Sequence, residues 1–219
     1  MTKYLKHLAL CLVFIGNSVA VAGSYEDFFT AIKRDTPSVT QDLLQRGFDA
    51  NTPDPQGRRG LTLAILEPAP KVAAVLIAWP KTDLNARKDK DENALMLAAL
   101  KGQDEMVAAL IARGAYVNKP GWAPLHYAAT NGHVKIMARL IEAYAFIDAE
   151  SPNGTTPLMM AAHYGSSDAV RLLIAEGADP LMKNQLGLTA VDFARRANRT
   201  EAAELIAAAV RAKRPKATW

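Results

Sequence analysis

The sequence predicts an all-α solenoid of about five to six helix-turn-helix repeats joined by short hairpin-like turns. Three observations predict it. The segments Asn93-Ala94-Leu95-Met96-Leu97-Ala98-Ala99, Ala123-Pro124-Leu125-His126-Tyr127-Ala128-Ala129 and Thr156-Pro157-Leu158-Met159-Met160-Ala161-Ala162 align on one another, their shared leucines 30 and 33 residues apart. A Leu-Ile signature trails them in Leu110-Ile111, Leu140-Ile141 and Leu173-Ile174. Glycine turns then follow, as in Gly114-Ala115-Tyr116-Val117-Asn118 and Gly177-Ala178-Asp179-Pro180.

Taken in order, residues 1–22 read as a secretory signal peptide. Lys3 and Lys6 precede the apolar run Leu8 to Ile15, and Ala20-Val21-Ala22 is a small-x-small cleavage box. Gly16 and Asn17 cut the run well short of the roughly 20 residues that span a bilayer. The first unit, 24–51, holds the degenerate copy Phe28-Phe29-Thr30-Ala31-Ile32 and the turn Gly47-Phe48-Asp49-Ala50-Asn51. Arg34-Asp35-Thr36-Pro37-Ser38 replaces its glycine turn and marks an N-terminal cap. The second unit, 52–86, carries Leu61-Thr62-Leu63-Ala64-Ile65 and Val75-Leu76-Ile77, and Pro68, Pro70 and Pro80 predict irregular turns. In the third, 87–118, and the fourth, 119–149, Gly102 and Gly132 stand between the helices. The fourth has lost residues around Lys119-Pro120-Gly121, which shortens its turn.

The fifth unit, 150–182, shows the logic best. Thr156 is placed to cap the first helix and Pro157 stands at its first position, where a missing N–H costs nothing. Leu158, Ala161 and Ala162 share a face at helical spacing, and the alanines let neighbouring inner helices approach closely. Gly165 is expected to end that helix in left-handed geometry. Ser167 or Asp168 is expected to open the second helix, which buries Val170, Leu173 and Ile174, and Gly177 closes it. The last unit, 183–211, repeats the motif as Thr189-Ala190-Val191-Asp192-Phe193-Ala194, with Asn198 in the glycine position. Asp192, Arg195 and Arg196 make its face polar, as an end unit with no further neighbour requires. Its final helix runs from Glu201 to about Lys213, and the basic tail 212–219 contains Pro215.

Composition supports a packed core: of 219 residues, 50% are hydrophobic and 22% charged. Removal of Lys3 and Lys6 with the signal leaves 24 of the 26 bases against 22 acids. That near-balance gives no reason to expect an electrostatic nucleic-acid footprint. The lone Cys11 lies in the apolar run, with Leu10 before it where a lipoprotein box needs a small residue. The mature chain therefore has no disulfide and no thiolate ligand.

These residues resemble the ankyrin repeat, whose pattern runs Thr-Pro-Leu-His-x-Ala-Ala, then Gly-His, Leu-Leu and Gly-Ala. Ala123 to Ala129 with Asn131-Gly132-His133 resembles it most, and the likeness extends over about residues 24 to 211. The resemblance implies projecting turn tips and a concave face lined by first helices, where protein partners bind. Carried over by position, the tips are Asp89, Lys90, Glu92, Pro120, Trp122, Pro152, Asn153, Thr155, Gln185 and Leu188. The groove adds Leu100, Lys101, Thr130, Asn131, His163, Tyr164 and Arg196. The partner-binding set expected is Trp122, Tyr164, His163, Lys101, Asn131, Glu92, Asn153 and Arg196, with Trp122, His163 and Tyr164 forming an aromatic patch, unless Trp122 folds back over its shortened turn.

No catalytic constellation is expected. His126 stands where the family's histidine ties a turn to its neighbour, His133 follows Gly132 as a structural residue, and His163 has no second ligand at metal spacing, while His7 leaves with the signal. No Gly-x-Ser-x-Gly elbow or phosphate loop appears. The expectation is a non-catalytic protein-protein interaction scaffold without metal, cofactor, nucleic acid or stable membrane anchor, a periplasmic or secreted monomer. Two variants of that reading stay open: an accessory factor for a periplasmic enzyme, such as one handling oxidative stress, and a secreted host-directed effector.

Overall fold

The computed structural model of the protein describes residues 23–87 and 91–213. The signal-peptide reading of 1–22 with His7 and Cys11, the tip residues Asp89 and Lys90, and the tail from Arg214 with Pro215 lie outside the described residues. The described residues form two compact units, one ending at Asp83 and one beginning at Leu84. Both are helical, and the extended pairing described is the isolated bridge between Pro53 and Arg59.

The first unit holds α1 (23–33), α2 (Pro37–Gln45), α3 (Gly60–Leu66) and α4 (Pro70–Ala78). Phe28, Ile32, Leu43, Leu44, Ile65, Leu76 and Ile77 are buried between the two hairpins. Gly60 opens α3 because nothing larger fits: an added Cβ would stand 2.6 Å from the Phe28 ring. Asp35 replaces the glycine turn at φ 49°, and its carboxylate accepts from the Val72 N–H at 2.8 Å, capping the start of α4. The prolines act as the sequence anticipates. Leu66 ends α3, Pro70 takes the first position of α4, and Trp79, just before Pro80, closes it.

The second unit stacks four hairpins: α5 (Ala94–Lys101) with α6 (Asp104–Ala112), α7 (Pro124–Thr130) with α8 (Val134–Glu142), α9 (Pro157–His163) with α10 (Ser167–Ala175), and α11 (Ala190–Arg196) with α12 (Thr200–Lys213). Inner helices α5, α7, α9 and α11 pack in sequence, and outer helices α6, α8, α10 and α12 follow them. Seven to nine residues make most of these helices, too short to hold alone, since isolated helices below about 12–15 residues are marginal in water. Packing must therefore hold them. Leu95, Leu125 and Leu158 are fully buried at equivalent places, each contributing about 2 kcal/mol of apolar transfer. Ala98-Ala99, Ala128-Ala129 and Ala161-Ala162 are equally buried and set the close helix spacing.

Turn chemistry is as regular as the core. Gly102, Gly132 and Asn198 take positive φ between paired helices, and Gly114 and Gly177 do so after outer helices. Asn85 accepts from the Tyr116 N–H at 2.8 Å. Asn118 donates to the Tyr144 carbonyl at 2.7 Å and accepts from the Phe146 N–H at 2.8 Å. Asp148 accepts from the Asp179 N–H at 3.0 Å in the next repeat. Two sequence expectations are corrected. Gly165 has no positive φ; a Cβ there would stand 2.4 Å from the Ala129 carbonyl oxygen, so it is small because α7 and α9 approach closely. The cap of α10 is Ser166, whose hydroxyl accepts from the Ala169 N–H at 3.1 Å, while Ser167 donates to Glu201 at 2.6 Å.

Candidate protein-binding site

The site grows from the shortened turn before α7. Lys119, only 7% exposed at its side chain, turns its ammonium inward to donate to the Trp122 carbonyl at 3.1 Å and to pair with Asp91. That anchor holds Trp122 over the first turn of α7, its ring edge-on to His126 at 5.2 Å and near Tyr127 at 6.5 Å. The indole is half-buried, so it folds back over the turn and still contributes a wall. A cavity of about 220 Å³ opens beside it, lined by Leu100, Trp122, His126, Tyr127, Thr130 and Met160.

The floor is rigid and neutral. His126 is fully buried; the Ala123 N–H donates to Nδ1 at 3.1 Å, so the proton sits on Nε2 and is donated to the Thr155 carbonyl at 2.9 Å. Burial holds its pKa below the usual histidine value, which favours this uncharged tautomer. Tyr127 donates its hydroxyl to Glu92 at 3.0 Å, and burial together with that carboxylate pushes the phenol well above its ordinary pKa. Both histidine nitrogens are committed to backbone and Tyr127 stays protonated, so these groups hold shape and move no proton. The cavity suits an apolar side chain.

The other expected residues are spread along the unit. Asn131 donates to the Leu100 carbonyl at 2.7 Å and His133 Nε2 to the same oxygen at 3.1 Å, both joining α5 to the next hairpin. Asn153 accepts from Ser151 at 2.6 Å within its tip, and its carbonyl accepts from the Gln185 N–H at 3.0 Å in the next tip. Glu92 belongs to the Tyr127 pair already described. Lys101 and Arg196 are exposed at the ends of α5 and α11. His163 donates to the Phe193 carbonyl at 3.2 Å and meets Tyr164 edge-on at 4.2 Å, with Tyr164 58% exposed. The expected single aromatic patch is therefore two groups: Trp122 with His126 and Tyr127, and Tyr164 with His163 and Phe193.

Two pocket residues escape the sequence reading, Tyr127 and Met160. The signal was present: both stand just before the Ala-Ala pair of their inner helix, so large side chains recur at one repeat position. A second feature was also missed. Tyr116, Tyr144 and Phe146 are 64%, 86% and 67% exposed on turns that follow outer helices. Among the described residues, no group of three or more His, Cys, Asp or Glu is placed to hold a metal ion, and no helix is long and apolar enough to cross a membrane.

Family models described as ankyrin repeats match residues 28–120 and 61–151 in one case and 145–194 in another. The chain belongs to the ankyrin-repeat family. An ankyrin-repeat domain of known structure from Acinetobacter baumannii shares the fold with a TM-score of 0.73 at 24% identity, over 84% of this chain and 97% of that one. A putative ankyrin repeat-containing protein of Treponema pallidum is 37% identical over 105 residues, 46% of this chain and 35% of the relative. The mouse nuclear factor NF-kappa-B p105 subunit is 33% identical over 145 residues, 63% of this chain but 15% of that protein. The ankyrin-repeat chain thus spans a minor part of these relatives' length. Ankyrin repeats generally mediate protein-protein interaction.

Proposed function

We propose that this ankyrin-repeat chain is a monomeric, non-catalytic scaffold of the periplasm that binds a protein partner across its inner helices and tips. An apolar side chain of that partner enters the cavity beside Trp122, with Tyr164, His163, Lys101 and Arg196 meeting the surrounding surface. The cavity carries this reading: an indole held by a buried lysine, over a floor whose polar groups are already satisfied, is preorganised to gain from covering apolar surface. Export is supported by the order of charge, apolar run and cleavage box in residues 1–22.

The test is crosslinked capture from the periplasmic fraction. Trp122→Ala removes a hot-spot type of side chain and is expected to lower partner recovery about ten-fold or more, with Tyr164→Ala weakening it less. Undiminished recovery by a folded Trp122→Ala variant overturns the site. Mature protein in that fraction should begin at Gly23.

A further inference from the structure

A second groove lies on the outer side of the last hairpin. Residues 203, 207 and 211 of α12 recur at helical spacing on the flank beside the buried Ala202 and Ile206, with Ala203 and Ala207 half-buried. That side forms a shallow groove of about 380 Å³ with Ala203 and Ala207 as its floor. Arg195 from the end of α11, Arg199 from the junction and Arg211 from the last turn of α12 rim it, with Glu204 the one acidic side chain among its lining residues.

Several cations elsewhere in this unit are paired with carboxylates. Arg139 and Lys135 pair with Asp104, Arg171 with Asp168 and Glu201, and Lys213 with Asp179. Among the described residues, none of Arg195, Arg199 and Arg211 has a carboxylate within ion-pair distance. A hairpin side meant only for water needs polar side chains, but not a floor of alanines between arginines. Small residues four apart let another helix approach closely, as the Ala-Ala pairs do between inner helices.

We propose that this groove docks an acidic helical segment of a protein partner, laid along α12 as a further hairpin would be. Arg199 and Arg211 are twelve residues apart, which is roughly 18 Å along a helix at 1.5 Å per residue. The complement is therefore a segment of about three turns with carboxylates at both ends, and a single phosphate or carboxylate does not span it. This surface is separate from the Trp122 cavity, whose residues it does not share.

The experiment uses the full mature chain and a fluorescein-labelled helical peptide of alanine and glutamate, read by anisotropy at low salt. A matched alanine-lysine peptide and a single-stranded oligonucleotide of equal charge are run beside it. The glutamate peptide is expected to bind, and Arg195→Ser/Arg199→Ser/Arg211→Ser to weaken it ten-fold or more. Ala207→Trp, which fills the floor without removing charge, is expected to weaken it similarly, while Trp122→Ala leaves it unchanged. Equal binding by both peptides overturns the proposal, as does an intact affinity in the triple variant. Binding that ignores Ala207→Trp and is matched by the oligonucleotide also overturns it, showing adhesion of any polyanion.

Discussion

Tyr144 occupies the position where Gly47, Gly114 and Gly177 stand in other repeats, and like them it has positive φ, here 64°. A left-handed conformation costs a non-glycine residue about 1–2 kcal/mol, and the side chain recovers little of it through packing because it is 86% exposed. Tyr144→Gly is therefore expected to stabilise the protein by about 1 kcal/mol, after allowing for the extra entropy glycine brings to the unfolded chain. Urea unfolding checks this through an upward shift in midpoint at constant slope. A lower midpoint would mean that the ring makes contacts its exposure does not suggest. Gly165 presents the reverse case: its φ is ordinary, and what forbids a side chain is the Ala129 carbonyl oxygen of the preceding inner helix.

At the level of turns and helices, one position links successive repeats: Asn51, Asn85, Asn118 and then Asp148. Asn118 both donates to a carbonyl and accepts from an N–H two residues on, whereas Asp148 only accepts, from Asp179. Burial raises the Asp148 pKa above its ordinary value of 3.8, with the neighbouring Asp179 carboxylate adding to the effect. The native state thus holds this proton more tightly than the unfolded chain, so its contribution is favourable below about pH 4 and is lost as pH rises through the native pKa. Asp148→Asn abolishes that loss and restores the donor, which in the pattern of Asn118 would reach the Gly177 carbonyl. We expect about 1 kcal/mol of stabilisation at pH 7, shrinking as pH falls toward 4. A gap that does not change with pH would show that the carboxylate is not penalised. Periodicity made the inner helices legible from sequence, because Leu95, Leu125 and Leu158 face the same environment and must recur. His126 does not recur, its equivalents being Met96, Met159 and Asp192, and it was legible only through the resemblance to the ankyrin pattern. Residues without a repeat partner were not: Trp122 depends on Lys119 reaching back from a shortened turn, and Asn131, expected to face a partner, spends its amide on Leu100. The groove of Arg195, Arg199 and Arg211 escaped because arginines on an end unit read as solvation until the register of α12 sets alanines between them.

Across the second unit as a whole, stability should follow position in the stack. Each hairpin of such an array contacts only its neighbours, so a helix covered on both sides is held by two interfaces and a terminal one by a single interface. In α9, packed between α7 and α11, five of seven residues are buried, whereas of the fourteen in α12 only Ala202 and Ile206 are. Amides in the second half of α9, from Ala161 to His163, should exchange with solvent only through global unfolding. Those from Ala207 to Lys213 should exchange by local fraying, at least a hundred-fold faster. Hydrogen exchange followed by mass spectrometry resolves both segments. Equal protection would mean that the last hairpin unfolds only with the stack, and that its outer side is as firmly held as its inner one. Unequal protection has a consequence for binding: a helix laid on α12 covers the least protected part of the unit, so docking there should slow local fraying of α12, and α9 should slow only by the factor by which binding raises the free energy of global unfolding.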